Sequence, residues 1–370
     1  MSIDGDSTKG RWTRFTALLG GLLLSCLALE FGYRALSALG ALPSHLSLSA
    51  ERVAAFREHV DSGVRGMFAP KAFVGYTLQG EGSNLDGFCD RDWDASKPPG
   101  VIRIACLGGS TTQDGCMTDR TNTYSSFLSR MMNRRLQADV EVLNFGVNGW
   151  TSAESLVNYA LVVSHYQPDF VVIHHAVNDV WPRLYPGYRS DFTHYRVPWQ
   201  DAQLSSWDKG LIAWSTLWAA VRIQDRDLVG IRERVIRRES GQPVELGREL
   251  SPQTIYGYRA NLQRLCRLVK ADGAVPVLMT MPYSAEAGGL GSPWLTLLET
   301  GTEEHNEIIR GVAQDEEALL ADAAYVFQSD PDEHDKFFID YVHLRAAGNR
   351  VKALLIAEAL QQTGLGQKTK

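Results

Sequence analysis

After residue 100 the chain alternates between short, unbroken apolar runs and longer segments with apolar residues at helical spacing. The runs VIRIACLGG (101–109), VEVLNFG (140–146), DFVVIHHA (169–176) and AVPVLMTM (274–281) are apolar at most positions, not at every second one. Strands buried on both faces read this way. ALLADAAYVF (318–327) predicts a fifth strand. The segments 123–137, 152–166, 251–273, 303–316 and 345–364 predict helices. Ser152 is the expected N-cap of the second of these. Ser251 is the expected cap of the third, with Pro252 in its first turn and Gly273 closing it. Strands alternating with helices predict an α/β fold, a three-layer α/β/α sandwich around a parallel five-stranded sheet.

The pattern ahead of residue 100 differs. Phe15–Leu29 carries no charged residue; Lys9, Arg11 and Arg14 precede it, and Glu30 and Arg34 follow. The run is short for a span of about 20 residues. Extended to Tyr33 it suffices, because Glu30 and Arg34 sit one turn apart and can pair. A cleaved signal peptide would fit the same apolar length, with Ala35, Ser37 and Ala38 downstream. Glu-Phe-Gly-Tyr-Arg follows first, however, and this favours an uncleaved anchor over 15–33. A core helix is the remaining reading. The basic flank puts residues 1–14 in the cytoplasm and the rest of the chain outside, as a single-pass protein. Residues 34–100 read as a stalk and approach segment, and 101–365 as the folded domain.

Composition changes this picture little. The 370 residues include 44% hydrophobic and 22% charged, with a net charge of −6. That balance gives no general nucleic-acid footprint. Of the five cysteines, Cys89 and Cys116 are the more plausible disulfide pair of an exported domain. Cys106 and Cys266 read as buried thiols. No metal-ligand spacing occurs, and no cofactor is implied.

In a parallel sheet, chemistry belongs beyond the carboxyl ends of the strands. Gly108-Gly109-Ser110-Thr111-Thr112 follows the first strand. Gly146 to Thr151 follows the second. Val177-Asn178-Asp179 follows the third. Asp340 and His343 precede the last helix in DYVHL. A serine hydroxyl needs a base to become a nucleophile. His343 is the candidate base and Asp340 the candidate orienting carboxylate. The backbone N–H groups of Ser110 and Gly149 and the amide of Asn178 are candidate oxyanion donors. His174 and His175 read as wall residues, and Asp179 as a loop tether.

These four segments resemble the blocks of the SGNH, or GDSL-like, hydrolase family. CLGGSTT resembles the first block, with Ser110 as nucleophile and Gly109 in place of the usual Asp. VLNFGVNGWTS resembles the second, HAVNDV the third and DYVHL the last. Ala176 stands where the third block usually has Gly. The resemblance covers roughly 100–363 and implies the flavodoxin-like fold of that family, a serine esterase acting through an acyl-enzyme, and no metal or cofactor. The implied substrate is an O-acetyl carbohydrate or a lipid-like ester, whether a small molecule or a polysaccharide. The Gly-Gly-Ser turn, ALEFGYRAL and NLDGFCDRD (84–92) resemble membrane-anchored bacterial members.

An O-acyltransferase acting on a polysaccharide would share the same acyl-enzyme. A non-catalytic polysaccharide-binding or assembly protein would not need the five site residues. The stretch 181–250 interrupts the rhythm and is rich in Trp and Tyr. It reads equally as a specificity-shaping insertion or a packing subdomain. Within it, 209–223 is amphipathic enough to touch a membrane surface.

Overall fold

A computed structural model describes residues 6–42, 68–78, 82–114, 119–196, 206–223, 246–287, 293–329 and 334–365. The chain forms two compact units. One comprises 1–66 and 202–234, the other 67–201 and 235–370.

The larger unit holds the parallel sheet. Its strands are β3 (Ile102–Gly108), β4 (Val140–Gly146), β5 (Phe170–His174), β6 (Val275–Met279) and β7 (Leu319–Ala321), in the order β4-β3-β5-β6-β7. All four neighbouring pairs are parallel. Before them, β1 (Phe68–Lys71) and β2 (Gly75–Leu78) form an antiparallel hairpin. Helices α3 (Tyr124–Leu136) and α12 (Ala346–Gln361) pack together on one face of the sheet. Helices α4 (Ser152–Leu161), α8 (Tyr256–Ala271) and α9 (Pro293–Asp315) form the other layer. This is the expected α/β/α sandwich.

Ile104, Cys106, Val172, Val277 and Met279 meet Leu128, Met132, Ile356 and Leu360 in one buried cluster. Each such aliphatic side chain removed from water contributes about 1.5–3 kcal/mol. The strands are apolar throughout because both of their faces are covered in this way.

The expected fifth strand, 318–327, is cut short. Asp322 accepts a hydrogen bond from the Tyr325 N–H and caps α10 (Ala323–Gln328), so the apolar run turns from strand to helix. The second predicted helix is capped by Thr151, not Ser152. Thr151 and Glu154 form a reciprocal capping box, and the Ser152 hydroxyl goes elsewhere. Ser251 makes no side-chain cap; its helix begins as a 3-10 turn, Pro252–Ile255.

Part of the segment read as a stalk is folded into the larger unit. The Trp150 indole N–H donates to Tyr76 O at 3.0 Å, and Tyr76 OH donates to Asn148 O at 2.9 Å. Phe88 sets its ring edge-on to Phe145 and Trp150. Cys89 is disulfide-bonded, while Cys26, Cys106 and Cys266 are free thiols. Cys116, the expected partner, lies outside the described residues. So do the Arg-rich stretch 226–240 and residues 43–67.

The smaller unit contains α1 (Asp6–Ala38), α6 (Ser206–Trp214) and α7 (Thr216–Ile223). Thr16–Ala38 is long and apolar enough to cross a membrane by length and composition. Tyr33 of α1 packs with Ile212, Ala219 and Ala220. The aromatic insertion is thus divided between the units: Phe192 and Tyr195 are buried in the larger one, and 206–223 belongs to the smaller.

Candidate active site

The strand order reverses between β3 and β5, and the crevice beyond their carboxyl ends is where such sheets bind ligands. Ser110 is the second residue after β3, behind Gly109, and opens the four-residue helix α2 (Ser110–Gln113). Asn178 lies in the first turn of α5 (Val177–Leu184), which follows β5. The topology therefore sets Ser110 and Asn178 on the two sides of the crevice.

Their closeness is visible at Gly109. A Cβ there would lie 2.5 Å from Asn178 Nδ2 and 3.1 Å from Trp150 O. Only glycine leaves room for the amide to lie against the serine turn. Asn178 Nδ2–H donates to Trp150 O at 2.9 Å, which fixes the amide and leaves its second N–H free to point elsewhere. Ala176, the departure from the usual glycine, has φ −168°, an extended backbone that any residue adopts. His305 Nδ1–H donates to Ala176 O at 2.9 Å, and Arg183 donates to His305 Nε2 at 3.2 Å.

Gly149 has φ +79°, a conformation that favours glycine. Its carbonyl accepts from Arg196 Nη2 at 2.6 Å, and Arg196 Nε donates to Glu154 Oε1 at 2.9 Å. Glu154 also receives the Thr151 N–H and hydroxyl. This chain of charge-assisted bonds holds the loop 147–151 from beneath. Among the described residues, no hydrogen bond engages the N–H of Ser110 or Gly149.

Asp340 and His343 form a closed pair. The His343 ring donates through Nδ1 to both carboxylate oxygens, at 2.8 and 2.9 Å, and its backbone N–H donates to Oδ1 at 2.9 Å. Partial burial pushes the Asp340 carboxyl up. The bonds from His343 and the Val342 N–H outweigh this and hold it at about 2. Nδ1–H is then committed to Asp340, and Nε2 is the nitrogen left to accept a proton.

The loop bearing this pair is moored to the serine turn through α12. Asn349 donates to Asp114 Oδ1 at 2.8 Å, and the buried Lys352 ammonium donates to Thr111 O at 2.8 Å. Asp114 Oδ2 in turn receives the Tyr124 N–H. Burial pushes Lys352 down to about 8, against the pull of Asp114.

Asp179 lies completely buried and tethers the two helix starts. It accepts the Ser152 N–H at 3.0 Å and the Ser152 hydroxyl at 2.5 Å. Burial pushes its carboxyl up to about 7 despite these bonds. His174 and His175 are both buried, as wall residues should be, and His175 Nε2 lies 2.8 Å from Ser155 Oγ. Burial carries His175 down to about 3, so it is neutral.

The sequence reading did not single out Arg196, Glu154, Asn349, Asp114 or Lys352. Thr151-x-x-Glu154 is a readable capping signal. Lys352 falls on a helix face that continues in buried Ala353, Ile356, Ala357 and Leu360, which is a second available signal.

The parallel α/β/α sandwich, with a serine turn after its first parallel strand and a His–Asp pair before its last helix, has the fold of the SGNH hydrolases. The chain belongs to the GDSL-like lipase/acylhydrolase family, whose sequence model matches residues 106–351, and it is an ester hydrolase. Among solved structures it is similar to an alpha/beta hydrolase enzyme from the metagenome of Lake Arreo, Spain, with 18% identity, 71% of this chain and 95% of that chain covered, and a TM-score of 0.44. An acetyl xylan esterase aligns with 16% identity over 70% of this chain and all (100%) of that one, with a TM-score of 0.43. An acetylxylan esterase from Geobacillus stearothermophilus gives 16% identity, 70% and 93% coverage, and a TM-score of 0.41. No curated protein matches the chain.

Proposed function

We propose that the protein is a membrane-anchored serine esterase in which Ser110 carries the acyl group. Ser110 Oγ attacks the ester carbonyl carbon while His343 Nε2 takes its proton. The carbonyl electrons move to oxygen, which the N–H groups of Ser110 and Gly149 and the Asn178 amide receive. The C–O bond to the alcohol then breaks, and His343 returns the proton to the leaving oxygen. Water attacks the acyl-enzyme by the same route and releases the acid. Asp340 holds the imidazole in the required tautomer and stabilises its protonated form.

The observation that carries this reading is the Asp340–His343 pair, which commits Nδ1 to the carboxylate and leaves Nε2 for the serine. The free N–H groups of Ser110 and Gly149 supply the complementary donors. The substrate is a carboxylic ester on an O-acyl carbohydrate or a lipid-like molecule. Residues 15–33 anchor the chain, with 1–14 in the cytoplasm and the esterase domain exported. The basic residues Lys9, Arg11 and Arg14 on one side of the apolar helix support that orientation.

The test is p-nitrophenyl acetate hydrolysis by the detergent-solubilised chain, beside Ser110→Ala and His343→Ala. Both variants are expected to retain the fold and lose activity. An added acceptor alcohol would yield acylated acceptor if transfer competes with hydrolysis. Full activity in either variant contradicts the reading.

A further inference from the structure

Glu30 is a carboxylate within the apolar stretch Thr16–Ala38. A charge in such a place is costly and needs partners. It has them: Ser215 Oγ–H donates to Glu30 at 2.6 Å, and the N–H groups of Thr216 and Leu217 donate at 2.7 and 3.0 Å. Arg34 completes the set at 2.7 Å. Glu30 therefore caps the N-terminus of α7, and the α6–α7 hairpin docks on α1 through a satisfied carboxylate. Tyr33, Ile212, Ala219 and Ala220 seal the contact.

The hairpin exposes large apolar side chains. Trp207 and Trp214 are 64% and 57% exposed, with Leu211 and Val221 also exposed. Two of its charged side chains neutralise each other: Arg222 donates to Asp208 at 2.7 Å, and the Trp218 indole N–H donates to the other oxygen of the same carboxylate. On α1, Leu18, Leu22, Leu24, Leu29 and Phe31 are exposed too. Glu30 lies 14 residues beyond Thr16, about 21 Å along the helix, two-thirds of the way through a hydrocarbon layer of about 30 Å. That leaves about 9 Å to the exported-side boundary, at which tryptophans gather, within reach of a hairpin docked there.

The geometry points to a second membrane contact: the α6–α7 hairpin lies in the exported-side interface of the bilayer, its Trp207 and Trp214 face in lipid and its other face held on α1 by Glu30. The occupant of the apolar face is lipid, because the hairpin is docked through Glu30 and Tyr33 onto the helix that the anchor reading places in the bilayer. The inference rests on the anchor reading of α1 and is independent of the esterase reading. It also gives the insertion between the third block and α8 a role. The chain is tied to the bilayer there as well as at its N-terminal helix.

The test uses the full chain in phosphatidylethanolamine–phosphatidylglycerol vesicles, with Cys26→Ala as background. A fluorescent label is placed by Leu22→Cys, Trp207→Cys, Trp214→Cys or, as an exposed control in the other unit, Tyr325→Cys. Cys106 and Cys266 are buried, and Cys89 is in a disulfide. The expected result is blue-shifted emission at 22, 207 and 214, quenched several-fold by spin-labelled lipid and protected from aqueous iodide, with the reverse at 325. Lipid quenching at 22 but iodide quenching at 207 and 214 overturns the hairpin contact and leaves the anchor standing. No lipid quenching at 22 overturns both. Protection from iodide at 207 and 214 without lipid quenching overturns lipid as the occupant in favour of a second copy of the chain. Added Glu30→Leu is expected to abolish lipid quenching at 214 while sparing 22; unchanged quenching at 214 overturns the role of Glu30. None of these signals depends on ester hydrolysis.

Discussion

The amide nitrogen of Asn178 occupies the space next to Gly109 that a side chain would need, 2.5 Å from the position of a Cβ. The Asn178 amide, proposed above as an oxyanion donor, thus restricts the residue before Ser110 to glycine.

Gly109→Ala displaces that amide from Trp150 O and from the site. The expected loss is about 10²–10³ in kcat, the scale for removing one oxyanion donor. Steady-state kinetics beside circular dichroism would check it: the fold persists and the rate falls.

Asp179 gives a pH signature. Its folded pKa, about 7, is raised above the ordinary carboxylate value. The folded state therefore binds more protons than the unfolded one between about 4 and 7, and stability falls as pH rises through that window. Asp179→Asn keeps an acceptor for Ser152 and cannot ionise. Urea melts from pH 4 to 8 should show the variant losing this part of the slope and equalling or exceeding the wild type at pH 8.

Lys352 behaves oppositely. Its folded pKa is lowered to about 8, so the unfolded state binds the extra proton between about 8 and 10.5, and stability rises with pH there. Lys352→Met removes this slope and costs little stability at pH 7, since an apolar group replaces a buried charge. Lys352→Ala leaves a cavity and costs about 2–5 kcal/mol, as for other long buried side chains. Both are expected to lower kcat, because the bond to Thr111 O is lost. Denaturant melts at pH 7 and 10, with kinetics at pH 7, check the set.

Much of this arrangement was legible in the sequence. The strands are readable because both faces of a parallel sheet are covered, three of the candidate site segments because they fall at strand ends, and the Asp340–His343 segment because it precedes the last helix. What escaped had physical reasons. Two four-residue strands at 68–78 are too short to show a period. The run 318–327 is apolar throughout, and only the Asp322 cap divides it. Ser152 looked like a cap, but Asp179, 27 residues away, takes its hydroxyl. Arg196 reaches Gly149 O across 47 residues, with no local pattern to announce it.

Asp340→Asn replaces an oxygen that accepts from Nδ1 with a group that can present a donor instead. If Asp340 orients the base as proposed, the expected loss in kcat is about 10⁴. The wild-type carboxyl sits at about 2, below its ordinary value, so its contribution to stability is complete above about 4 and lost as pH falls toward 2. Melting curves from pH 2 to 5 should lack that component in the variant.

The most direct measurement is intact-mass spectrometry of the full chain after treatment with a fluorophosphonate, followed by peptide mapping. The account predicts one adduct, on Ser110, absent from Ser110→Ala and formed much more slowly in His343→Ala. An unmodified wild-type chain, or an adduct that persists in Ser110→Ala, would contradict it.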